Sequence, residues 1–192
     1  MSSRSVLILL SGGYDSLFML NMSKADGHAT ACLFIDYGQQ AAQQEQQAAE
    51  RACADHGVAL YSASITLAES SITPMNGPSG AGPRVVPGRN LALIGLAVNH
   101  AASEGYKEVW IGATADDVHD YADCRSGFIM GADAAARAYG VQVCAPLIRR
   151  RRSDLVEMVK RSGWVMSAAF SCYSPDENGK PCGDCNSCAQ PA

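Results

Sequence analysis

Ser11-Gly12-Gly13-Tyr14-Asp15-Ser16 places two adjacent glycines, two serine hydroxyls and a carboxylate within six residues. It lies between a β-rich apolar run, Val6–Leu10, and a segment of helical spacing, Asp15 to Ala25. Paired glycines let the backbone approach an anion closely. The start of the helix turns N–H groups and partial positive charge toward it. Ser11 and Ser16 add hydroxyl donors. The Gly-Lys-Ser/Thr end of a Walker loop is missing, which disfavours γ-phosphoryl transfer, and no third glycine completes a dinucleotide fingerprint. The loop predicts an anion site with another use for its phosphates. The competing reading is a tight strand–helix turn with incidental serines.

Cysteines form the second centre. Of eight, Cys172, Cys182, Cys185 and Cys188 follow the pattern C-x9-C-x2-C-x2-C. Two-residue spacing lets neighbouring thiolates face one metal, and four thiolates complete a tetrahedron. Gly179, Pro181 and Gly183 supply the turns. Zn²⁺ is expected over an iron–sulfur cluster. Four thiolates leave no open position, so the site is expected to be structural. Disulfides need an oxidising compartment, and a redox Cys-x-x-Cys does not explain four residues. Cys32 and Cys144 fall in strand candidates and read as core, while Cys53 lies on a helix with no evident role.

Both centres need a scaffold. Strand-length apolar runs are read at Val6–Leu10, Thr30–Asp36, Val58–Ile65, Glu108–Ala113 and Val141–Ala145. Helices are read between them at Asp15–Ala25, Gln39–His56 (closed by Gly57), Asn90–Glu104, Ser126–Tyr139 and Ser153–Ser162. Ser153 reads as the last helix's N-cap and Gly163 as its stop. The alternation predicts an α/β fold with a doubly wound, mostly parallel five-stranded sheet. Residues 1–165 would form the nucleotide-binding domain and 166–192 a small metal-binding segment carrying the four cysteines. Ligands in such sheets sit beyond the carboxyl ends of the strands. That rule puts Ser11–Ser16, Asp36–Gln39 and Gly112–Asp117 along one rim. Prolines and glycines between residues 66 and 88 predict a mobile loop of the kind that serves as a lid.

The bulk numbers set limits. The chain has 192 residues, 47% hydrophobic and 18% charged, with a net charge of −4. An isoelectric point near 5.5 argues against nucleic acid as a partner that coats the surface. The longest apolar stretch, Leu91 to Val98, falls well short of the roughly 20 residues of a membrane span. Val6–Leu10 is too short for a signal-peptide core. The cytoplasm is the expected compartment.

The sextet resembles the phosphate loop of the pyrophosphate-loop ATP pyrophosphatases, whose fold is of the adenine nucleotide alpha-hydrolase type. That resemblance implies cleavage of ATP between its α and β phosphates and transfer of AMP to a substrate oxygen. Ser11, Gly12, Gly13, Asp15 and Ser16 would hold the phosphates, with Asp15 reaching a Mg²⁺. Four further segments follow in order: Asp36-Tyr37-Gly38-Gln39, Val86-Pro87-Gly88-Arg89-Asn90, Tyr121-Ala122-Asp123-Cys124-Arg125 and Ser171-Cys172-Tyr173. With the cysteine ending, this order resembles the 7-cyano-7-deazaguanine synthase family over nearly the whole chain.

The family resemblance implies adenylation of 7-carboxy-7-deazaguanine by ATP, displacement of AMP by ammonia to give an amide, and activation of that amide by a second ATP to give the nitrile. It implies that Tyr37, Gly38 and Gln39 lie at the adenosine. Arg89 and Asn90 would hold the carboxylate or the α-phosphate, since a guanidinium suits a planar two-oxygen anion. Tyr121 would stack on the base and Asp123 accept from its N–H groups. Arg125 completes the substrate set; Asp15, Arg89, Asp117 and Arg152 are the catalytic candidates. A solvated helix cap is the alternative for Arg89, and plain packing for Tyr121. The resemblance also implies a homodimer.

The sequence departs from the family pattern at three places. Ala115 stands where a glutamate is expected, and His119, Asp120 and Ala122 also differ, although Asp117 is retained. Arg152 stands where the family has a lysine, at the end of Arg149-Arg150-Arg151-Arg152. The chain ends four residues after Cys188. Alternative readings are a variant that stops at the amide or uses another deazapurine carboxylate, a pyrophosphate-loop tRNA thiolase with an iron–sulfur cluster, and a non-catalytic nucleotide- or nucleic-acid-binding module.

Overall fold

Alternation of buried side chains decides how the sheet is covered. In strand β1 (Ser5–Leu9), Val6 and Ile8 point to one face and Leu7 to the other, all three fully buried. Strand β2 (Ala29–Asp36) splits the same way, Cys32 and Phe34 against Ala31, Leu33 and Ile35. A sheet apolar on both faces must be covered on both. The computed structural model shows this for residues 3–68, 85–185 and 187–189, the part of the chain that it describes.

Helices α1 (Tyr14–Ala25) and α2 (Ala42–His56) cover the first face, with Phe18, Leu17, Leu20, Ala49 and Cys53 buried against it. After strand β3 (Ala59–Ser64), helix α3 (Arg89–Glu104) covers the second face through Ile94, Ala97, Val98 and Ala101. Strand β4 (Glu108–Trp110) leads to a short helix α4 (Asp117–Asp120) and a 3₁₀ turn (Ala122–Cys124). Helix α5 (Ser126–Ala136), strand β5 (Gln142–Cys144) and helix α6 (Arg152–Ser162) complete the order. The five strands are parallel in the order β3-β2-β1-β4-β5. Successive connections run outward from β1 in opposite directions, so a crevice opens at the carboxyl ends of β1 and β4.

Several boundaries differ from the sequence reading for identifiable reasons. Helix α2 starts at Ala42 rather than Gln39, because the Gln39 side chain is bonded back to Tyr37 N–H and Ile35 O. Helix α6 starts at Arg152, and Ser153 is not its cap. The carboxylates of Asp154 and Asp116 take the N–H groups of Arg151 and Arg152 at 3.0 and 2.7 Å. Gly57 and Gly163 do end their helices, both left-handed, with φ of 59° and 70°. Strands β4 and β5 keep three residues each, shorter than their apolar runs. Cys32 and Cys53 are free, buried core thiols hydrogen-bonded to each other, and Cys144 is half-buried against the same core. Most of the proline- and glycine-rich stretch, residues 69–84, lies outside the described residues. No helix among the described residues is long and apolar enough to cross a membrane.

Residues 164–173 turn back over the first face. Trp164 packs edge-on against Phe18 at 5.2 Å, and Met166, Ala168 and Ala169 join the same core. This return delivers the cysteine segment to the carboxyl rim of the sheet.

Candidate active site

The glycine loop is shaped by close packing. Gly12 has φ of 77°, a conformation that a side chain disfavours. A Cβ there would overlap the carbonyl oxygen of Glu45 and press on Ala48. Gly13 ends the loop in extended conformation, and Tyr14 begins the helix. The Ser16 hydroxyl donates to Gly13 O at 2.8 Å, and the Ser11 hydroxyl to Ser16 Oγ at 3.3 Å. Both serines are thus gathered over the first turn of α1, where an anion is favoured.

A cleft of about 910 Å³ opens beside this loop at the rim of the sheet. Of the residues expected at the nucleotide, Ser11, Gly13, Asp15, Ser16, Tyr37, Gly38 and Gln39 line it. Gly12 lies behind, against α2. Arg89, Asn90, Asp117, Tyr121 and Arg152 line it too. Asp123 sits one step back, near enough to act on the Arg89 charge. Arg125 is exposed and donates to Val118 O at 3.0 Å, away from the cleft wall.

Arg152 reaches into the floor. Its guanidinium bonds Asp15 Oδ2 at 2.7 Å and stacks over the Tyr14 ring at 4.5 Å. Burial pushes the Asp15 carboxyl up to about 6 against the pull of Arg152, with Asp117 and Asp116 adding to the rise. Among the described residues, Asp15 Oδ1 is buried with no partner, and so is Arg152 Nε. Asp117 is fixed by the N–H and hydroxyl of Thr114, which reach its Oδ2 at 2.7 and 2.8 Å. Three carboxylates and a guanidinium therefore meet at the mouth of β4.

The opposite wall carries a group that the sequence reading missed. Glu45 of α2 accepts from Gln39 Nε2 at 2.9 Å and lines the cleft. Burial pushes its carboxyl up to about 7, although Gln39 and the Arg89 charge act against that rise. Arg89 lies over the Tyr37 ring at 5.8 Å, near the limit of a cation–π contact, and donates to Asn90 Oδ1 at 3.3 Å. Cys124, whose thiol burial pushes up to about 12, accepts from Asn90 Nδ2. Tyr173 closes this side, bonded to the Tyr121 hydroxyl.

The four cysteine sulfurs converge. Cys172, Cys182, Cys185 and Cys188 place their Sγ atoms within 4.8 Å of one another. Two pairs stand at 3.5 and 4.0 Å. Zn–S bonds near 2.3 Å in a tetrahedron put neighbouring sulfurs about 3.8 Å apart, so the spacing fits one ion. Cys185 is held down to about 7: burial raises it, but the N–H groups of Tyr173 and Cys188 outweigh burial.

A five-stranded parallel sheet with a lysine-free glycine loop at its switch point is the fold of the pyrophosphate-loop ATP-using proteins. Solved structures agree at the level of fold. The chain is similar to a U34-tRNA thiolase of Methanococcus maripaludis, which carries a [4Fe-4S] cluster: TM-score 0.59 and 15% identity, over 92% of this chain and 61% of that one. It is also similar to an NMN synthetase of Francisella tularensis, with TM-score 0.58 and 17% identity, over 96% of this chain and 71% of that one. A model of the family described as queuosine biosynthesis protein QueC matches residues 5–191. Curated relatives named 7-cyano-7-deazaguanine synthase, from Ectopseudomonas mendocina and Pseudomonas aeruginosa, are each 32% identical over 98% of this chain and 92% of their own length. The chain belongs to the QueC family.

Proposed function

We propose that this protein is an ATP-dependent carbon–nitrogen ligase of the cytoplasm that converts 7-carboxy-7-deazaguanine and ammonia to 7-cyano-7-deazaguanine. The observation that carries the reading is that the lysine-free phosphate loop, Arg89, Asn90 and Tyr121 line one and the same cleft. The names of the 32% identical relatives support the choice of acceptor.

A carboxylate is a poor electrophile, and adenylation turns one of its oxygens into a leaving group. The carboxylate oxygen attacks the α-phosphorus of ATP and pyrophosphate departs. Ammonia then displaces AMP to give the amide, and a second adenylation, on the amide oxygen, lets AMP leave as the nitrile forms. Such an enzyme acts mainly by positioning and charge balance. Ser11, Ser16 and the first turn of α1 hold phosphate oxygens, while Tyr37, Gly38 and Gln39 border the adenosine. Arg152 faces the developing charge, and Arg89 with Asn90 orients the carboxylate. The orphaned Asp15 Oδ1, with Asp117 beside it, fits a hard divalent cation. Mg²⁺ held by these two carboxylates would offset the charge of the phosphates.

Cys172, Cys182, Cys185 and Cys188 fit Zn²⁺. A cubane cluster would spread its four thiolates over four irons and push them apart, whereas here all four surround a single point. This convergence supports Zn²⁺ over a cluster of the kind that the thiolase carries.

The test is incubation with ATP, Mg²⁺, ammonia and 7-carboxy-7-deazaguanine, followed by nucleotide analysis and product mass. AMP and a nitrile are expected. ADP would overturn the phosphate-loop assignment, and a product mass matching the amide would overturn the second activation.

A further inference from the structure

In the motif Ser171-Cys172-Tyr173, Cys172 belongs to the cysteine centre and Tyr173 to the cleft wall. Its first residue does something else. The Ser171 hydroxyl accepts the backbone N–H of Tyr14 at 3.1 Å, across 157 positions of sequence. One residue earlier, Phe170 N–H donates to Gly12 O at 2.9 Å. One residue later, Cys172 is buried in the metal centre, its sulfur accepting from Cys182 N–H at 3.2 Å. Three consecutive residues thus tie the metal segment to the glycine loop.

Tyr14 is the first residue of α1, so its N–H is one of the donors that a helix start turns toward an anion. A serine oxygen that accepts from it keeps its own O–H free to donate. The space in front of that hydroxyl is open because residue 13 is glycine. A Cβ on Gly13 would sit 3.4 Å from Ser11 Oγ and 3.5 Å from Ser171 Oγ. The two hydroxyls therefore both face the side of residue 13 that carries no side chain, and both residues line the cleft.

We propose that Ser171 is a phosphate-binding residue of the nucleotide site, held in register with the glycine loop by the metal ligand that follows it. The proposal rests on the adenylation reading only in naming ATP as the ligand. In it, one face of the phosphate site comes from the cysteine segment, and Ser11 and Ser171 grip the same phosphate from two sides.

The test compares wild type with S171A, S171V and S171T. ATP binding is measured by calorimetry in Mg²⁺, metal content by elemental analysis, and integrity by thermal unfolding. Losing one such hydrogen bond is expected to weaken ATP binding about five- to thirtyfold in S171A and S171V. S171T, the same shape as valine but with the hydroxyl restored, is expected to stay within about threefold of wild type. All three should keep their metal. In steady state, the KM for ATP should rise while that for the carboxylate substrate stays constant. Unchanged ATP binding in S171A and S171V overturns the proposal, as does equal weakening in S171T and S171V. If wild type binds ATP but forms no AMP with 7-carboxy-7-deazaguanine, the proposed reaction fails, and the serine comparison can still be made by calorimetry.

Discussion

Arg152 holds a position where a lysine was expected, and its contacts explain what the larger group supplies. It pairs with Asp15 at 2.7 Å and stacks on Tyr14, a flat double contact that an ammonium cannot reproduce. R152K is expected to lower kcat/KM for AMP formation at least tenfold with little loss of stability. R152A would leave the largely buried Asp15 carboxylate unsatisfied, at a cost of roughly 1–3 kcal/mol in chemical unfolding. The double variant D15N/R152A should recover most of that stability and none of the activity, which a denaturation series and an AMP assay would show. Glu45 provides a pH signature. Its folded carboxyl titrates at about 7 against an ordinary 4.5, so the folded state binds the extra proton in that window. Stability of the ligand-free protein should therefore fall as pH rises from about 4.5 to 7 and then level off. E45Q should reduce that slope, leaving the part that Asp15 contributes below about pH 6, and gain roughly 1–2 kcal/mol at pH 8 but little at pH 4. An unchanged slope would contradict this assignment. The sequence did not reveal Glu45, because in a run of Gln, Ala and Glu no residue stands apart. Its place at the cleft, with Gln39 bonded to it, is visible only in the fold.

At the level of elements, the loop and its helix were readable because their signals are local. Two glycines between a strand-like run and a helical one have few structural meanings. What stayed hidden was their neighbour. Gly12 packs on the backbone of α2, so G12A meets both a disfavoured φ and an overlap with Glu45 O. A loss of about 3 kcal/mol or more is expected, with ATP binding abolished. The start of α6 illustrates the opposite case. Ser153 is a reasonable local cap, but Asp116 reaches Arg152 N–H from 36 positions away. D116A is expected to cost about 1 kcal/mol in urea unfolding and S153A a few tenths. The reverse ranking would restore the serine as the cap.

For the whole molecule, the doubly wound class could be read from alternation, since each buried strand needs a covering helix on one side or the other, but the strand order could not. Nor could the placement of the cysteine segment, because nothing in its composition says which edge or rim it returns to. Its docking on the first face through Trp164 and on the glycine loop through Phe170 makes metal content a property of the nucleotide site. Stripping the metal with a strong chelator should weaken ATP binding at least tenfold while far-UV circular dichroism keeps most of its helix and sheet signal. Retention of full ATP affinity in metal-free protein would show that the segment is independent.

The bond between Tyr14 and Ser171 also has a consequence in time. On the ribosome, β1 and the glycine loop emerge well before their partner residues, which follow only after most of the sheet has been synthesised. A contact of such long sequence separation closes late, after the entropy of the intervening chain has been lost to the sheet. The nucleotide cannot then serve as an early folding template. ATP affinity should be the last property regained on refolding, which stopped-flow comparison of tryptophan emission with ATP capture would follow. A nascent chain still short of residue 171 would carry a complete glycine loop and a nucleotide site of weakened affinity.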